Sequence, residues 1–206
     1  MGGDAAPFTV LVVCSANVCR SPVAAALLER SLAPQVMAGL IAVTSRGVWA
    51  NDGDAVCGRA VQQAGLGSLQ HSAQRLTAAD IAGADLILTA EQVHRASVVE
   101  KDLSARKRTF TLREAAALSK WFAAGSPVPE GLEVPPPPPT PADPHAQLLW
   151  WVSELNAGRG IASMGSGQDL DIADAHGEVR VDHAAVMAAV GSAVAGIARD
   201  PAIVGG

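Results

Sequence analysis

One α/β domain, built on a four-stranded parallel sheet with helices on both faces, is the fold class predicted by the 206-residue sequence. Three observations predict it. Short apolar runs recur at 8–13, 40–45, 85–89 and 108–112, as strands buried on both faces do. Helical stretches separate these runs, so strand and helix alternate. A hydrophobic fraction of 49% against a charged fraction of 17% suits a packed core, and the chain is long enough to bury one.

Each element has its own signal. The first strand, 8–13, runs into a loop and then a helix over 22–32, with Ser21 as a good N-cap and Pro22 suited to the first helical turn. Further helices are expected over 55–65, 91–100, 113–124, 145–156 and 181–199. The last carries Val186, Val190, Val194 and Ile197 on one stripe. Right-handed crossovers would connect the parallel strands. Ligands of such sheets bind beyond the carboxyl ends of the strands, and residues 14–20 fall at one of those ends.

Residues 125–144, GSPVPEGLEVPPPPPTPADP, break the alternation. Prolines remove backbone donors and favour an extended polyproline conformation. A solvated surface insertion is expected, with docking to a proline-recognising partner as the alternative. After it, AQLLWWVSEL reads as an amphipathic helix, with Trp150 and Trp151 as core or cover residues. Gly158–Gln168 is glycine-rich and expected to be mobile. The domain is therefore read as 1–206 with a proline- and glycine-rich insertion at about 125–168.

Composition excludes several classes. A net charge of −5 opposes a generally basic nucleic-acid binder. No apolar run is long enough to span a membrane, and the start shows no secretory pattern. Three cysteines are an odd count and too few for a disulfide scaffold, so a reducing cytoplasm is expected.

The chemistry concentrates in Cys14-Ser15-Ala16-Asn17-Val18-Cys19-Arg20-Ser21-Pro22. A thiolate is favoured by a helix N-terminus and by nearby cations, and Cys14 would have both. Backbone N–H groups of a tight loop before a helix converge on an anion. The planar fork of Arg20 matches two phosphoryl oxygens. Asn17 tolerates the left-handed backbone that a curled loop requires. Taken alone, the Cys-x5-Arg spacing also allows a buried apolar thiol and a surface cation at a helix start.

Taken with its surroundings, the chain resembles the low-molecular-weight protein tyrosine phosphatase family. The family loop is typically C-x-G-N-x-C-R-S-P, from which this sequence departs only at Ala16. The resemblance continues through Val43–Asp52, Gln70–Ile81, Gly83–Arg95, Arg108–Ala116 and Asp171–Gly177. It implies a phosphoric monoester hydrolase in which Cys14 forms a cysteinyl-phosphate while Arg20 and the loop residues 15–19 and Ser21 hold the phosphoryl oxygens. Asp174 matches the family's general acid and base, with Ala175 and His176 replacing the usual proline and aromatic residue. Asp171 is the fallback acid. Ser45 and His71 match residues that support Asn17 and Ser21.

The resemblance also implies a pocket wall at Trp49, with His176 replacing the opposite aromatic wall. A branch acting on phosphoarginine favours threonine where this chain has Val18, so a phosphotyrosine protein or another aryl phosphate is the expected substrate, and phosphate-like oxyanions the expected inhibitors. Cys19 is implied as a reversible disulfide partner of Cys14, and a buried structural thiol is the alternative. Cys57 is read as a helix residue without a catalytic role. The acidic stretch from Asp169 to His183, with Glu178 and Asp182, fits no compact ligand motif, so no metal and no cofactor are expected. Two rival functions remain: arsenate reduction on the same fold, opposed by the lack of further cysteines at 80–95, and a non-catalytic phosphate-binding or scaffold module.

Overall fold

Four parallel strands form one sheet in the order β2-β1-β3-β4: β1 (Phe8–Cys14), β2 (Ile41–Gly47), β3 (Leu86–Thr89) and β4 (Thr109–Thr111). The computed structural model describes residues 6–128, 130, 139–159, 169–177 and 182–200. The middle of the proline-rich segment, and the glycine-rich stretch beyond residue 159, lie outside the described residues.

The helices are α1 (Arg20–Ser31), α2 (Ala33–Met37), α3 (Gly58–Gln63), α4 (Ala78–Ala82), α5 (Gln92–Lys101), α6 (Leu112–Ala123), α7 (Pro144–Gly158) and α8 (His183–Ala198). All four expected strands and all six expected helices are present, most ending within two residues of the expected bounds. The third helix is shorter, 58–63 rather than 55–65. The short α2, α4 and a 3-10 turn at Leu103–Arg108 were not expected, because so few residues cannot display a period.

The chain leaves β1 to form β2 on one side, then crosses to β3 on the other, so the order reverses at β1. The crevice opened by that reversal lies at the carboxyl ends of β1 and β3. Alternation along the strands divides the core. Phe8, Val10, Val12, Leu86 and Leu88 join one cluster with residues of α1, α6, α7 and α8. Leu11, Val13 and Ile87 join another with Ile81 of α4 and Val98 of α5. Period-2 side-chain direction thus places helices on both faces of one sheet.

At the end of β2, Cys14 of β1 pairs with Gly47. A side chain on Gly47 would lie 2.7 Å from the Ser15 carbonyl oxygen and 2.8 Å from the Asn17 nitrogen. Glycine lets the backbone of β2 approach the thiol loop this closely.

The helix after the proline-rich segment is a core element. Trp151 of α7 is wholly buried, and its indole N–H donates to Asp200 Oδ2 at 2.9 Å. Trp150 is half-buried and packs edge-to-face on Phe122 of α6, with centroids 5.6 Å apart. Of the glycine-rich stretch, Gly158 closes α7 tightly against Trp121, and Arg159 is anchored by Glu114 at 2.9 Å and stacked 3.9 Å from the Phe110 ring. No helix among the described residues is long and apolar enough to cross a membrane.

Truncating Trp151 to alanine would remove a large core side chain and one hydrogen bond to a buried carboxylate. The expected cost is about 3–5 kcal/mol, read from urea unfolding midpoints. A loss under about 1 kcal/mol, as for an exposed site, would show that α7 is not part of the core.

Candidate active site

Residues 15–19 join β1 to α1 in a curled loop at the sheet's carboxyl edge. Four carbonyls at this turn point outward to donors on neighbouring segments. The Cys14 oxygen accepts from Val48 N–H at 2.9 Å, the Ser15 oxygen from Trp49 N–H at 2.9 Å, and the Val18 oxygen from Cys57 N–H at 2.6 Å. The Asn17 oxygen meets His71 Nε2 at 2.7 Å. In a planar trans peptide, the N–H points opposite to the C=O. The amides of Ser15, Ala16, Val18 and Cys19 therefore turn inward, and α1 adds its own N-terminus with no acidic residue in the first turn. Such a nest attracts an anion.

Asn17 makes the curl. It has φ of 56°, the left-handed region that asparagine tolerates. Its Nδ2 donates to Ser21 Oγ and Ser45 Oγ, both at 2.9 Å, and its Oδ1 accepts from Gln74 N–H at 2.9 Å. Ala16, where the family pattern has glycine, does not have positive φ, so its methyl group causes no left-handed strain. Cys14, 2% exposed, places Sγ 3.0 Å from Ser21 Oγ.

Arg20 is 1% exposed, and a guanidinium so buried needs partners. Its Nη1 donates to Glu91 Oε1 and, at 2.8 Å, to the Ile172 carbonyl. Its Nη2 donates to Ser15 Oγ at 2.9 Å and to Asp174 Oδ2 at 2.6 Å. The Ser15 hydroxyl lies 2.9 Å from His94 Nε2 and 3.4 Å from Asp174 Oδ2. With His94 donating from Nε2, Ser15 accepts twice and donates to Asp174. Asp174 Oδ1 accepts from His176 N–H at 2.9 Å, which closes the turn beneath the carboxylate.

The structure thus gathers Cys14, Ser15, Asn17, Arg20, Ser21, Ser45, His71 and Asp174 into one network. Asp171 lies elsewhere: its Oδ1 accepts from Gln92 N–H at 2.7 Å, at the start of α5. Trp49 is 54% exposed and sits 5.9 Å, centroid to centroid, from His94. His176, the expected opposite wall, packs edge-to-face on His183 at 4.9 Å. Val18 is half-buried against the main core, and Cys14, Cys19 and Cys57 are free thiols.

Sequence reasoning missed Glu91, His94 and Gly47. The first two lie one and four residues beyond the Thr89-Ala90 strand end, where a parallel sheet's ligand crevice must lie, so their position was a usable signal. Nothing local in the sequence marks Gly47 as the point of closest approach.

His94 carries a further consequence. Burial, and then the nearby Arg20 charge, lower its pKa from 6.5 to about 4, although Asp174 opposes the shift. Above pH 6.5 neither folded nor unfolded chain binds this proton. Between pH 6.5 and about 4 the unfolded chain binds it and the folded chain does not, so stability falls as pH drops through that window. The contribution approaches about 1.4 kcal/mol per pH unit. Unfolding of His94→Gln, measured against wild type from pH 7 to 4, should be less steeply pH-dependent; equal slopes would exclude a buried neutral imidazole.

Comparison with known proteins agrees with this geometry. The profile of the low molecular weight phosphotyrosine protein phosphatase family matches residues 9–121. A protein-arginine-phosphatase of Geobacillus stearothermophilus is 35% identical over 111 residues, covering 52% of this chain and 71% of that protein. A probable low molecular weight protein-tyrosine-phosphatase, EpsP, of Ralstonia nicotianae is 34% identical over 109 residues, with the same coverages of 52% and 71%. Among solved structures, the YwlE arginine phosphatase from Geobacillus stearothermophilus superposes with a TM-score of 0.59 at 24% identity, covering 93% of this chain and 91% of its own, a likeness of fold. Asp174 lies beyond the matched residues, so its place at the site rests on geometry alone. A thiol loop at the crevice of a parallel sheet and a match across more than half the chain lead to one conclusion: the chain belongs to the low molecular weight phosphotyrosine protein phosphatase family, whose chemistry is phosphoric monoester hydrolysis.

Proposed function

We propose that this protein hydrolyses phosphotyrosine in proteins, or a related aryl phosphate, through a covalent phosphoryl-cysteine. The reading is carried by one observation: Arg20 Nη2 holds the Asp174 carboxylate at 2.6 Å, beside a loop whose amides face inward and whose first residue is Cys14. An arginine, a carboxyl group and a thiol around an anion nest are the parts that phosphoryl transfer to sulfur requires.

In the first step, the Cys14 thiolate attacks phosphorus. The S–P bond forms as the P–O bond to the leaving group breaks. Protonated Asp174 gives its proton to the departing oxygen. The Ser21 hydroxyl, 3.0 Å from Sγ, can donate to the thiolate. Arg20 and the inward amides bear the charge on the equatorial oxygens. In the second step, water attacks phosphorus, Asp174 takes its proton, and the S–P bond breaks to restore the thiolate and release phosphate.

Before the first step Asp174 must yield its place on Nη2, because a phosphoryl oxygen and a carboxylate compete for the same donor. Glu91 then remains as the counter-charge that keeps Arg20 in place.

Trp49, exposed beside the loop and joined to Ser15 through its backbone, offers a flat apolar face to an aryl group. The Geobacillus relative is named a protein-arginine-phosphatase. Val18 supports the tyrosine reading, since it lacks the hydroxyl that the phosphoarginine-specific branch favours. The three free thiols suit a reducing cytoplasm. The absence of cysteine from 80–95 leaves arsenate reduction without a protein thiol relay there. The proline-rich segment is read as an insertion into this phosphatase fold, and its middle lies outside the described residues.

Cys14→Ser should abolish turnover of phosphotyrosine while retaining phosphate binding, since a hydroxyl without a strong base is a poor nucleophile. Substantial steady-state turnover by this variant would sink the covalent route. Asp174→Asn should slow hydrolysis of substrates with poor leaving groups by about 10²–10⁴-fold and spare activated aryl phosphates. It should also tighten phosphate inhibition, because the competing carboxylate charge leaves Arg20. Weaker phosphate inhibition in Asp174→Asn would mean that the carboxylate does not compete for the guanidinium.

A further inference from the structure

Two thiols and two imidazoles meet beside the loop, and the phosphoryl-transfer steps use none of them. Cys19 comes from the loop, Cys57 from the residue before α3, His176 from the turn that follows Asp174, and His183 from the first turn of α8. Ligand atoms of Cys19, His176 and His183 all lie within 4.8 Å of one another. His183 Nε2 is 3.4 Å from His176 Nε2 and 3.5 Å from Cys57 Sγ. Tetrahedral zinc, with Zn–S of about 2.3 Å and Zn–N of about 2.0–2.1 Å, sets its donor atoms roughly 3.3–3.8 Å apart. Two of these separations, 3.4 and 3.5 Å, fall in that range. Cys19, His176 and His183 form a three-donor cluster, and Cys57, in contact with it through His183, would complete the shell by side-chain rotation.

We propose that Cys19, Cys57, His176 and His183 form a binding site for one thiophilic divalent cation, Zn²⁺ by the chemistry of its donors. Two thiolates and two neutral imidazoles balance the ion's charge and fill a closed tetrahedral shell. The site is reachable, because Cys57, His176 and His183 line an open cleft of about 770 Å³ that also contains Asp182. Without metal, burial first, then Cys57 and Cys14, push the Cys19 thiol up to about 12, so it is protonated. A coordinated thiol is deprotonated outright, so the ion replaces two thiol protons and releases them to solvent. No electron moves.

The four donors are dispersed along the chain, which explains why no compact motif announced them and why no metal was expected from the sequence. The ion would fasten the turn bearing Asp174 to the thiol loop, and it would withhold Cys19 from pairing with Cys14.

The test uses the full chain, reduced and stripped of metal. Zn²⁺ is titrated in competition with a chromophoric chelator, and Co²⁺ is used as a spectroscopic probe. The expected result is one ion per chain, release of about two protons per Zn²⁺, and a Co²⁺ spectrum with thiolate charge transfer and intense tetrahedral d–d bands. Cys57→Ser and His183→Ala, on different elements and away from Cys14, should each lower Zn²⁺ affinity at least tenfold, with circular dichroism confirming the fold. Cys14→Ser should bind Zn²⁺ as tightly as wild type. Absence of stoichiometric binding at micromolar protein overturns the proposal. So does tight binding that Cys14→Ser abolishes while Cys57→Ser and His183→Ala retain it. Every readout is a binding measurement, so loss of the phosphatase reading would leave this result standing, and the reverse.

Discussion

The buried guanidinium of Arg20 is the constraint around which the site is arranged. A charge taken out of water is costly unless its donors meet acceptors, and loss of one partner leaves the remainder exposed to that cost. Four acceptors meet it: Glu91 after β3, the Ile172 carbonyl and Asp174 late in the chain, and Ser15 in the loop itself. One side chain therefore joins three distant parts of the sequence. The tie is also conditional. Glu91 and Ile172 hold one nitrogen, while Ser15 and Asp174 hold the other, so an anion can take over the second nitrogen without stripping Arg20 of all compensation.

The loop solves a related problem with backbone alone. An inward nest of amides needs outward carbonyls, and each carbonyl then needs a donor. Those donors come from Val48 and Trp49 after β2, from His71, and from Cys57 before α3. Close approach of β2 depends on the missing side chain of Gly47. The nest is thus held from outside, by segments that the phosphoryl group never touches. Asn17 completes the support from within, since its side chain reaches Ser21, Ser45 and Gln74.

Much of this was legible in the sequence because the signals were local and chemical. Wholly apolar strand runs gave the sheet, and the Cys14–Pro22 run gave the loop and its helix start. Asn17 announced the left-handed residue by its type. Ser45 and His71 entered through resemblance, and their hydrogen bonds to Asn17 show what such residues can do at this spacing. What the sequence concealed was convergence. Glu91 looks like any acid at a helix start until the fold sets it against Arg20. Cys57 and His183 look like ordinary helix-start residues until α3 and α8 bring them together. Short helices such as α2 and α4 were silent because five residues make barely more than a turn.

The departures from the family pattern change side chains more than they change the backbone device. At Ala16 the backbone never enters the left-handed region, so a methyl group fits where glycine is usual. At Ala175 the usual proline would fix the turn after the acid by its ring. Here the acid fixes the turn itself, since Asp174 Oδ1 accepts the His176 N–H and the Asp174 carbonyl accepts the Gly177 N–H at 3.2 Å. The two carboxylate oxygens therefore divide the work. Oδ1 holds the turn, and Oδ2 faces Arg20 and Ser15, where the acid and base proposed for the reaction would act. An asparagine at this position could keep the turn, because its amide oxygen can accept the same N–H, and would lose both the proton and the negative charge that pairs with Arg20. That separates the acid's chemistry from its positioning.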